Sequence, residues 1–313
     1  MSTDRVPFGQ TDLQVSRLCQ GTAFRHLPRA DSPEGLAVLH HCLDQGVNFF
    51  DSAQAYGWGG GEEVLGRAIA GRRDEVVLCT KIPTCLAPRG ENEPGEPVHY
   101  TRAHLTDRLE ESLRRLRTDY VDLYLLHHRD PDTPPAAIAE VMQDLTQAGK
   151  ILYWGVSNHT AAEVANFLDV APIAGVEDYY NIAGSNCDES GRSRATIYEE
   201  EMVPLLKRAG LGCMAFSPMD TGLLAPQIPD APALADLAAA IDQVGAELDT
   251  SRAAVSVAWV LHQGLTSVLA GSESIEHVDQ NLAGARLTLP NTALADLDQA
   301  RNTYRQSQQE ANT

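Results

Sequence analysis

The chain has 313 residues, 43% of them hydrophobic, enough for one large domain or two ordinary ones and evidence against global disorder. Its formal charge of −19, from 24 Lys and Arg against 43 Asp and Glu, argues against a nucleic-acid or anionic-membrane partner, because neutralising phosphate takes a basic face. The six cysteines form no CxxC pair and no Cys/His cluster, so the pattern points to no metal and to a reducing, cytoplasmic setting.

The opening MSTDRVPFGQ lacks the apolar core of a signal peptide, and no apolar run approaches the ~20 residues of a membrane span. Residues 5–16, RVPFGQTDLQVS, alternate apolar and polar around a turn at Gln10-Thr11-Asp12 and predict a hairpin. A first strand over 16–22 precedes a helix that Ser32 caps and Pro33 begins, running to Gln45 before Gly46 stops it. Strand 47–50 precedes a helix over 61–70. Strand 76–80 precedes the most regular helix, 101–117, in which Leu105, Leu109, Leu113 and Leu116 recur on one face. Strand 121–126 leads to helix 134–148, strand 151–157 to helix 160–168, and strand 173–176 to helix 199–209. Strand 212–216 precedes an additional Ala/Leu-rich helix over 234–248 and another over 251–262. Strand 266–270 precedes a helix over 275–284, and the polar residues 305–313 are expected to fray.

Strands alternating with helices, without linker or repeat, predict one domain over 1–313: an α/β (β/α)8 TIM barrel with the N-terminal hairpin at its bottom. A doubly wound open sheet is the competitor, but it usually carries a Gly-rich phosphate turn after strand one. Here that position reads Gly21-Thr22-Ala23-Phe24, and the glycine-rich stretch from Gly57 to Gly61 does not match GxGxxG.

Active sites of such barrels form at the C-terminal strand ends, so the residues that punctuate those ends matter most. Asp51 and Tyr56 follow the second strand, Lys81 the third, His127 and His128 the fourth, and Ser157 and Asn158 the fifth. Taken singly, each has a bland reading: a capping aspartate, a surface tyrosine, a solvated lysine, a satisfied core histidine. Together they would converge on one barrel mouth. A free phenol titrates near pH ~10, and a neighbouring ammonium lowers that value. Lys81 would supply the ammonium, Asp51 would orient Lys81, and His127 would hydrogen-bond a substrate oxygen. That is a general-acid assembly for a carbonyl becoming an alkoxide, or its reverse.

From FGQTDLQVSRL through NFFDSAQAYG, GGEEVLGRAI, EVVLCTK, SLRRLRTDYVDLYLLH, GKILYWGVSN and MAFSP to GSESIEHVDQNL, the sequence resembles the aldo-keto reductases. The resemblance covers nearly the whole chain. It implies an NAD(P)(H)-dependent oxidoreductase on a TIM barrel, with Asp51, Tyr56, Lys81 and His127 as the catalytic set; the histidine directly after DLYLL matches, which selects His127 over His128. It assigns Ser157 and Asn158 to the nicotinamide carboxamide, Phe216 to stacking on that ring, Ser217 and Leu223 to the pyrophosphate path, and Gly21, Thr22 and Asp51 to the cofactor side of the mouth. The family's next carboxamide partner is a glutamine, where this chain has Glu177, or Asp178 if the alignment slips by one.

Residues 271–281 match the adenosine-binding stretch, represented by Gly271, Ser272, Glu273, His277, Gln280 and Asn281. Relatives that prefer NADP carry Lys or Arg here. Glu273 would repel a 2′-phosphate and accept from a free 2′-hydroxyl, so NAD(H) is the expected cofactor and NADP(H) the alternative should Glu273 face solvent. The long loops AFRHLPRADS, PTCLAPRGENEPGEPVHY and NIAGSNCDESGRSRATIY are polar, with Arg25, His26, Arg89, His99, Arg192 and Arg194 available. With Phe24, Arg25, Trp58 and His128 as substrate candidates, they suggest a polar small-molecule carbonyl or alcohol: a sugar, a polyol or a pyridoxal-like alcohol. Two other readings stay open: a cofactor-binding regulatory subunit, and an enzyme using NAD transiently for elimination or epimerisation. Oligomeric state is not legible.

Overall fold

The structure, a computed structural model, describes residues 5–24, 32–86, 95–188, 191–225 and 234–311. Arg5–Pro7 (β1) pairs antiparallel with Gln14–Ser16 (β2), Val6 facing Val15, as the alternation of that stretch predicts. Phe8 leaves the hairpin fully buried and stands edge-on to Phe49, the ring centroids 5.7 Å apart. Its ring occupies the space above Gly175 and Gly212; a Cβ on either glycine would lie within 2.7 Å of it. The hairpin thereby closes the barrel bottom.

Eight parallel strands form the closed barrel: Leu18–Gly21 (β3), Phe49–Asp51 (β4), Val77–Ile82 (β5), Val121–Leu126 (β6), Ile151–Ser157 (β7), Gly175–Tyr179 (β8), Gly212–Phe216 (β9) and Ser267–Ala270 (β10), with β10 pairing back onto β3. Side chains alternate between faces along a strand. Cys19, Phe49, Cys79, Leu123, Leu125, Met214 and Leu269 fill the interior with Phe8, whereas Leu18, Phe50, Leu78, Tyr124, Leu126 and Val268 join the outer core under the helices. The same phase decides the mouth. Asp51 is two residues beyond Phe49, Lys81 two beyond Cys79, and His127 two beyond Leu125, so all three continue the inward face.

The helical layer comprises Pro33–Asp44 (α1), Gly60–Ala68 (α2), Arg102–Leu116 (α3), Pro135–Gln147 (α4), Ala161–Leu168 (α5), Arg194–Ile197 (α6), Val203–Ala209 (α7), Ala235–Glu247 (α8), Arg252–His262 (α9), Ile275–Arg286 (α10) and Asn291–Ala311 (α11). Ser32 Oγ accepts from Gly35 N with Pro33 in the first turn, Thr101 caps α3, and Thr160 with Glu163 forms a capping box on α5. Each satisfies backbone donors that the first turn of a helix leaves unpaired.

Three expectations need correction. The sixth barrel strand covers Gly175–Tyr179, not 173–176, because Glu177 and Asp178 enter the ladder despite their charge; Ile173 is buried in the connection before it. The helix expected over 199–209 begins at Arg194 and passes through one wide turn, Tyr198–Met202. Residues 305–311, expected to fray, extend α11. That helix is anchored by buried Leu294, Leu297 and Tyr304 and by Trp259 Nε1 donating to Asp298 Oδ1 at 3.2 Å. Arg301 and Arg305 both pair with Glu199, which also accepts from Tyr180 OH at 2.7 Å. No helix among the described residues is long and apolar enough to cross a membrane.

Removing Glu199 would leave two largely buried guanidinium groups without a counter-ion. Glu199→Ala should therefore cost roughly 3 kcal/mol in urea unfolding. Asp242→Ala, which frees Arg252 from an exposed partner, should cost less than about 1 kcal/mol.

Candidate active site

Lys81 is the centre of the barrel mouth. Its side chain has no exposure to solvent, and its Nζ lies 2.5 Å from Asp51 Oδ1, 3.0 Å from Tyr56 OH, 3.2 Å from Ser52 O and 3.3 Å from Glu177 Oε1. Burial alone would discharge this ammonium, but Asp51 and Glu177 outweigh it and hold its pKa well above the ordinary value. Lys81 therefore carries a positive charge at neutral pH. It belongs to strand β5 itself, one residue beyond the expected strand end, which fixes it more firmly than a loop would.

Tyr56 reaches this ammonium from a tight turn, Tyr56–Gly59, in which Gly57 and Trp58 take left-handed backbone angles. Gly59 must be glycine: its φ is +105°, and a Cβ there would lie 2.5 Å from Arg115 Nε. Arg115 bonds Glu62 and Glu111, Glu62 accepts from Thr80 Oγ1, and Glu111 accepts from Gln54, so the turn rests on a connected polar network. On the other side, Thr22 Oγ1 bonds Ser52 Oγ at 2.8 Å and Asp51 O at 3.2 Å.

The sequence predicts that Lys81 lowers the pKa of Tyr56, and the net direction is the opposite. Burial pushes the phenol up, Lys81 pulls it back, and Asp51 with Glu177 pushes it up again. Tyr56 is a neutral phenol at neutral pH, a proton donor before it is a base. His127 packs edge-on to Tyr56 at 5.7 Å and stacks on His128 at 4.5 Å. Burial, then Lys81, then His128 hold its pKa well below the usual imidazole range, so it is neutral and offers one N–H. Its Nδ1 is buried and has no partner among the described residues.

The remaining predicted residues distribute around this centre. Phe24 is buried and lines, with Thr22, Tyr56, Gly57 and Gly61, a cleft of about 160 Å3. Trp58, 36% exposed, and His128 stand at the rim, while Arg25, His26 and Arg89 lie outside the described residues. Ser157 is buried. Asn158, at φ +59°, donates to His127 O and Ser157 Oγ and accepts from Arg194, so its amide is already engaged. Glu177 points into the barrel toward Lys81. Asp178 instead accepts from Asn158 N at 3.0 Å; burial raises its carboxyl to about 7, against the pull of Arg194. Phe216 stands edge-on to Tyr179, Ser217 is left-handed at φ +62°, and Leu223 is exposed.

At the adenosine stretch, a Cβ added to Gly21 would lie 3.2 Å from Leu269 Cδ1, whereas one added to Gly271 would meet open space. Ser272 Oγ accepts from Asn281 Nδ2 at 3.0 Å, Ser274 caps α10 through His277 N, and Gln280 bonds Glu276. Asn281 Oδ1 is buried without a partner among the described residues. The orphaned acceptor suits a ligand donor such as an amino or hydroxyl group, while the N-terminus of α10 beside open Gly271 suits an anionic group. A larger cavity of about 500 Å3 lies beside β1, α9 and α10, lined by Arg17, His262 and Arg286, and none of the strand-end residues reaches it. Sequence reasoning missed the contacts of Glu177 with Lys81 and of Arg194 with Asn158. Only the glutamate's departure from the family pattern flagged the first.

Residues 17–302 match the model of the aldo/keto reductase family. The aldo-keto reductase YhdN of Bacillus subtilis is 40% identical over 162 residues, a segment covering 51% of this chain and 47% of that protein. A probable voltage-gated potassium channel subunit beta of Oryza sativa is 30% identical over 307 residues, 88% of each chain. The structure of a glycerol dehydrogenase from Gluconobacter oxydans superposes with a TM-score of 0.83 at 25% identity, covering 97% of both chains. An aldo/keto reductase from Klebsiella pneumoniae, solved with NADP and acetate, gives a TM-score of 0.77 at 29% identity over 95% of both.

Because Lys81 touches two buried carboxyl groups, Lys81→Met should destabilise the fold by about 3–5 kcal/mol. Adding Asp51→Asn should recover a large part of that loss, which a double-mutant cycle in urea would read directly.

Proposed function

The chain belongs to the aldo/keto reductase family, and we propose that it is an NAD(P)(H)-dependent oxidoreductase interconverting a carbonyl and an alcohol on a polar small molecule. The observation that carries the reading is the contact of Tyr56 OH with Lys81 Nζ at 3.0 Å, with Asp51 behind the lysine and His127 beside the phenol. When bound, the nicotinamide supplies or accepts the hydride. The chain's own residues then handle the proton. In the reducing direction Tyr56 gives its proton to the developing alkoxide, and the Lys81 ammonium stabilises the phenolate left behind. Asp51 keeps Lys81 charged and aimed. Neutral His127 donates to the substrate oxygen and orients it. A phenol held neutral suits the donor role, so carbonyl reduction is the proposed direction at neutral pH.

Residues suited to holding the dinucleotide are Ser157, Asn158 and Phe216 at the nicotinamide end, Ser217 and Leu223 along the pyrophosphate, and Gly271, Ser272, Glu273 and Asn281 at the adenosine end. Glu273 precedes the Ser274 cap of α10, in a segment without Lys or Arg from Gly271 to Gly284. This supports a preference for NAD(H), although the Klebsiella relative was solved with NADP. A sugar or polyol substrate is favoured by His128 and Arg194 at the rim and by the glycerol dehydrogenase likeness. The rice relative's name supports a second reading, a regulatory subunit that binds cofactor without turnover being its main task.

Tyr56→Phe should lower turnover about 10²–10⁴-fold while the cofactor Kd stays nearly constant. Activity surviving that change would sink the enzymatic assignment of Tyr56. Fluorescence titration should give a smaller Kd for NADH than for NADPH, and Glu273→Arg should reverse the order; tighter NADPH binding by the unchanged protein would refute the preference.

A further inference from the structure

Glu177 has no task in the proton transfer just described, yet it occupies the driest part of the site. On β8 it stands two residues beyond Gly175, on the inward face, 2% exposed, with Oε1 3.3 Å from Lys81 Nζ. Lys81 already has Asp51 Oδ1 at 2.5 Å. One ammonium therefore faces two carboxyl groups, and these two groups bring oxygens within 4.8 Å of each other.

Ionising both is physically unfavourable for two separate reasons. The buried cluster would carry a net negative charge without water to screen it. One oxygen of each group, Asp51 Oδ2 and Glu177 Oε2, would also stay buried with no donor. A single added proton removes both problems, because it cancels the excess charge and turns one carboxyl group into a donor. Asp51 holds the shorter contact with the ammonium, which leaves the proton to Glu177.

We propose that Glu177 carries this proton in the resting protein and is a positioning residue, whose neutral form leaves Lys81 free to support Tyr56 as the acid. The proposal rests on the reading of Tyr56 given above. Once ionised, Glu177 would draw on the Lys81 charge and place a second negative charge facing the phenol. Both effects oppose formation of the Tyr56 phenolate and weaken Tyr56 as a donor.

The groups facing Glu177 are Asp51 from β4, Lys81 and Cys79 from β5, Cys19 from β3 and Tyr56 from its turn. Its register neighbours, Ser157 on β7 and Met214 on β9, are uncharged. Burial and then Asp51 hold the Glu177 carboxyl well above the carboxylate range, against the pull of Lys81. Burial likewise keeps the thiols of Cys19 and Cys79 protonated. Glu177 is thus neutral at neutral pH and loses its proton as pH rises.

Glu177→Gln keeps the shape and removes the titration. The infrared difference between the unchanged protein and Glu177→Gln, without substrate, should show the carbonyl stretch of a protonated carboxyl group at neutral pH. Carboxylate bands in its place would overturn the proposal. In carbonyl reduction, the fall of kcat with rising pH should move upward by about one unit or more in Glu177→Gln. Glu177→Asp, which retains a titratable group, should keep the fall near its original position. An unchanged profile with kcat lowered uniformly in Glu177→Gln would mean a merely structural role and also overturn the proposal. The infrared result does not depend on Tyr56 chemistry. Full turnover by Tyr56→Phe would therefore remove the reading of Tyr56 and the positioning role together, while leaving the protonated band in place.

Discussion

A lysine ammonium without contact to water persists only where a counter-charge and further acceptors reach it at hydrogen-bond distance, and at Lys81 those groups come from different strands. Asp51 arrives from β4 and Glu177 from β8, while Tyr56 arrives from the turn after β4. The alternation of strands makes this an exacting requirement. A slip of one residue in β4 would turn Asp51 into the helical layer and bring Phe50 inward. The pairing of Asp51 opposite Cys79, and of Glu177 opposite Ser157, is therefore a condition for the cation as much as for the sheet. Buried ion pairs contribute little net stability compared with hydrophobic packing, but they penalise wrong arrangements heavily. In this barrel, closure in register and assembly of the site are one constraint.

What lies beneath the cation determines how its neighbours ionise. Below Lys81 the interior is filled by Cys19, Phe49, Cys79, Leu123, Leu125 and Met214, with Phe8 closing the end. Thiols, thioether and rings offer no solvation to a charge. Polarity therefore rises along the barrel axis, from an apolar floor through one charged layer to the open rim of Trp58 and His128. Groups in the charged layer compete for a single positive charge. Tyr56 and His127 both remain neutral, because burial disfavours a phenolate and an imidazolium alike; Lys81 then favours the first and opposes the second.

The fold was largely legible because its signals are periodic and local. Strands ending in polar residues, Ser32-Pro33 as a cap, and Leu105 to Leu116 on one face all act within a few residues of where they are read. Legibility failed where a distant partner decides. The polar stretch after Tyr304 reads as fraying, and it is helical with Arg305 meeting Glu199, more than a hundred residues earlier. Glu177 and Asp178 read as the end of a strand, yet they continue it, one facing Lys81 and the other capping Asn158 N.

The chemistry of the site follows the same division. Residue types at strand ends were enough to bring Asp51, Tyr56, Lys81 and His127 together, because a barrel sends every strand end to one mouth. Their protonation could not be read that way. An ammonium beside a phenol lowers the phenol's pKa as a pair in water, and the sequence supports only that pairwise argument. In the protein the ammonium is shared with two carboxyl groups over an apolar floor, and the sum reverses the sign. The identity of the acid is thus set by adjacency along the chain and across the mouth. The protonation state of Tyr56 is set first by burial and then by Lys81, Asp51 and Glu177 together, a sum the pairwise argument does not contain.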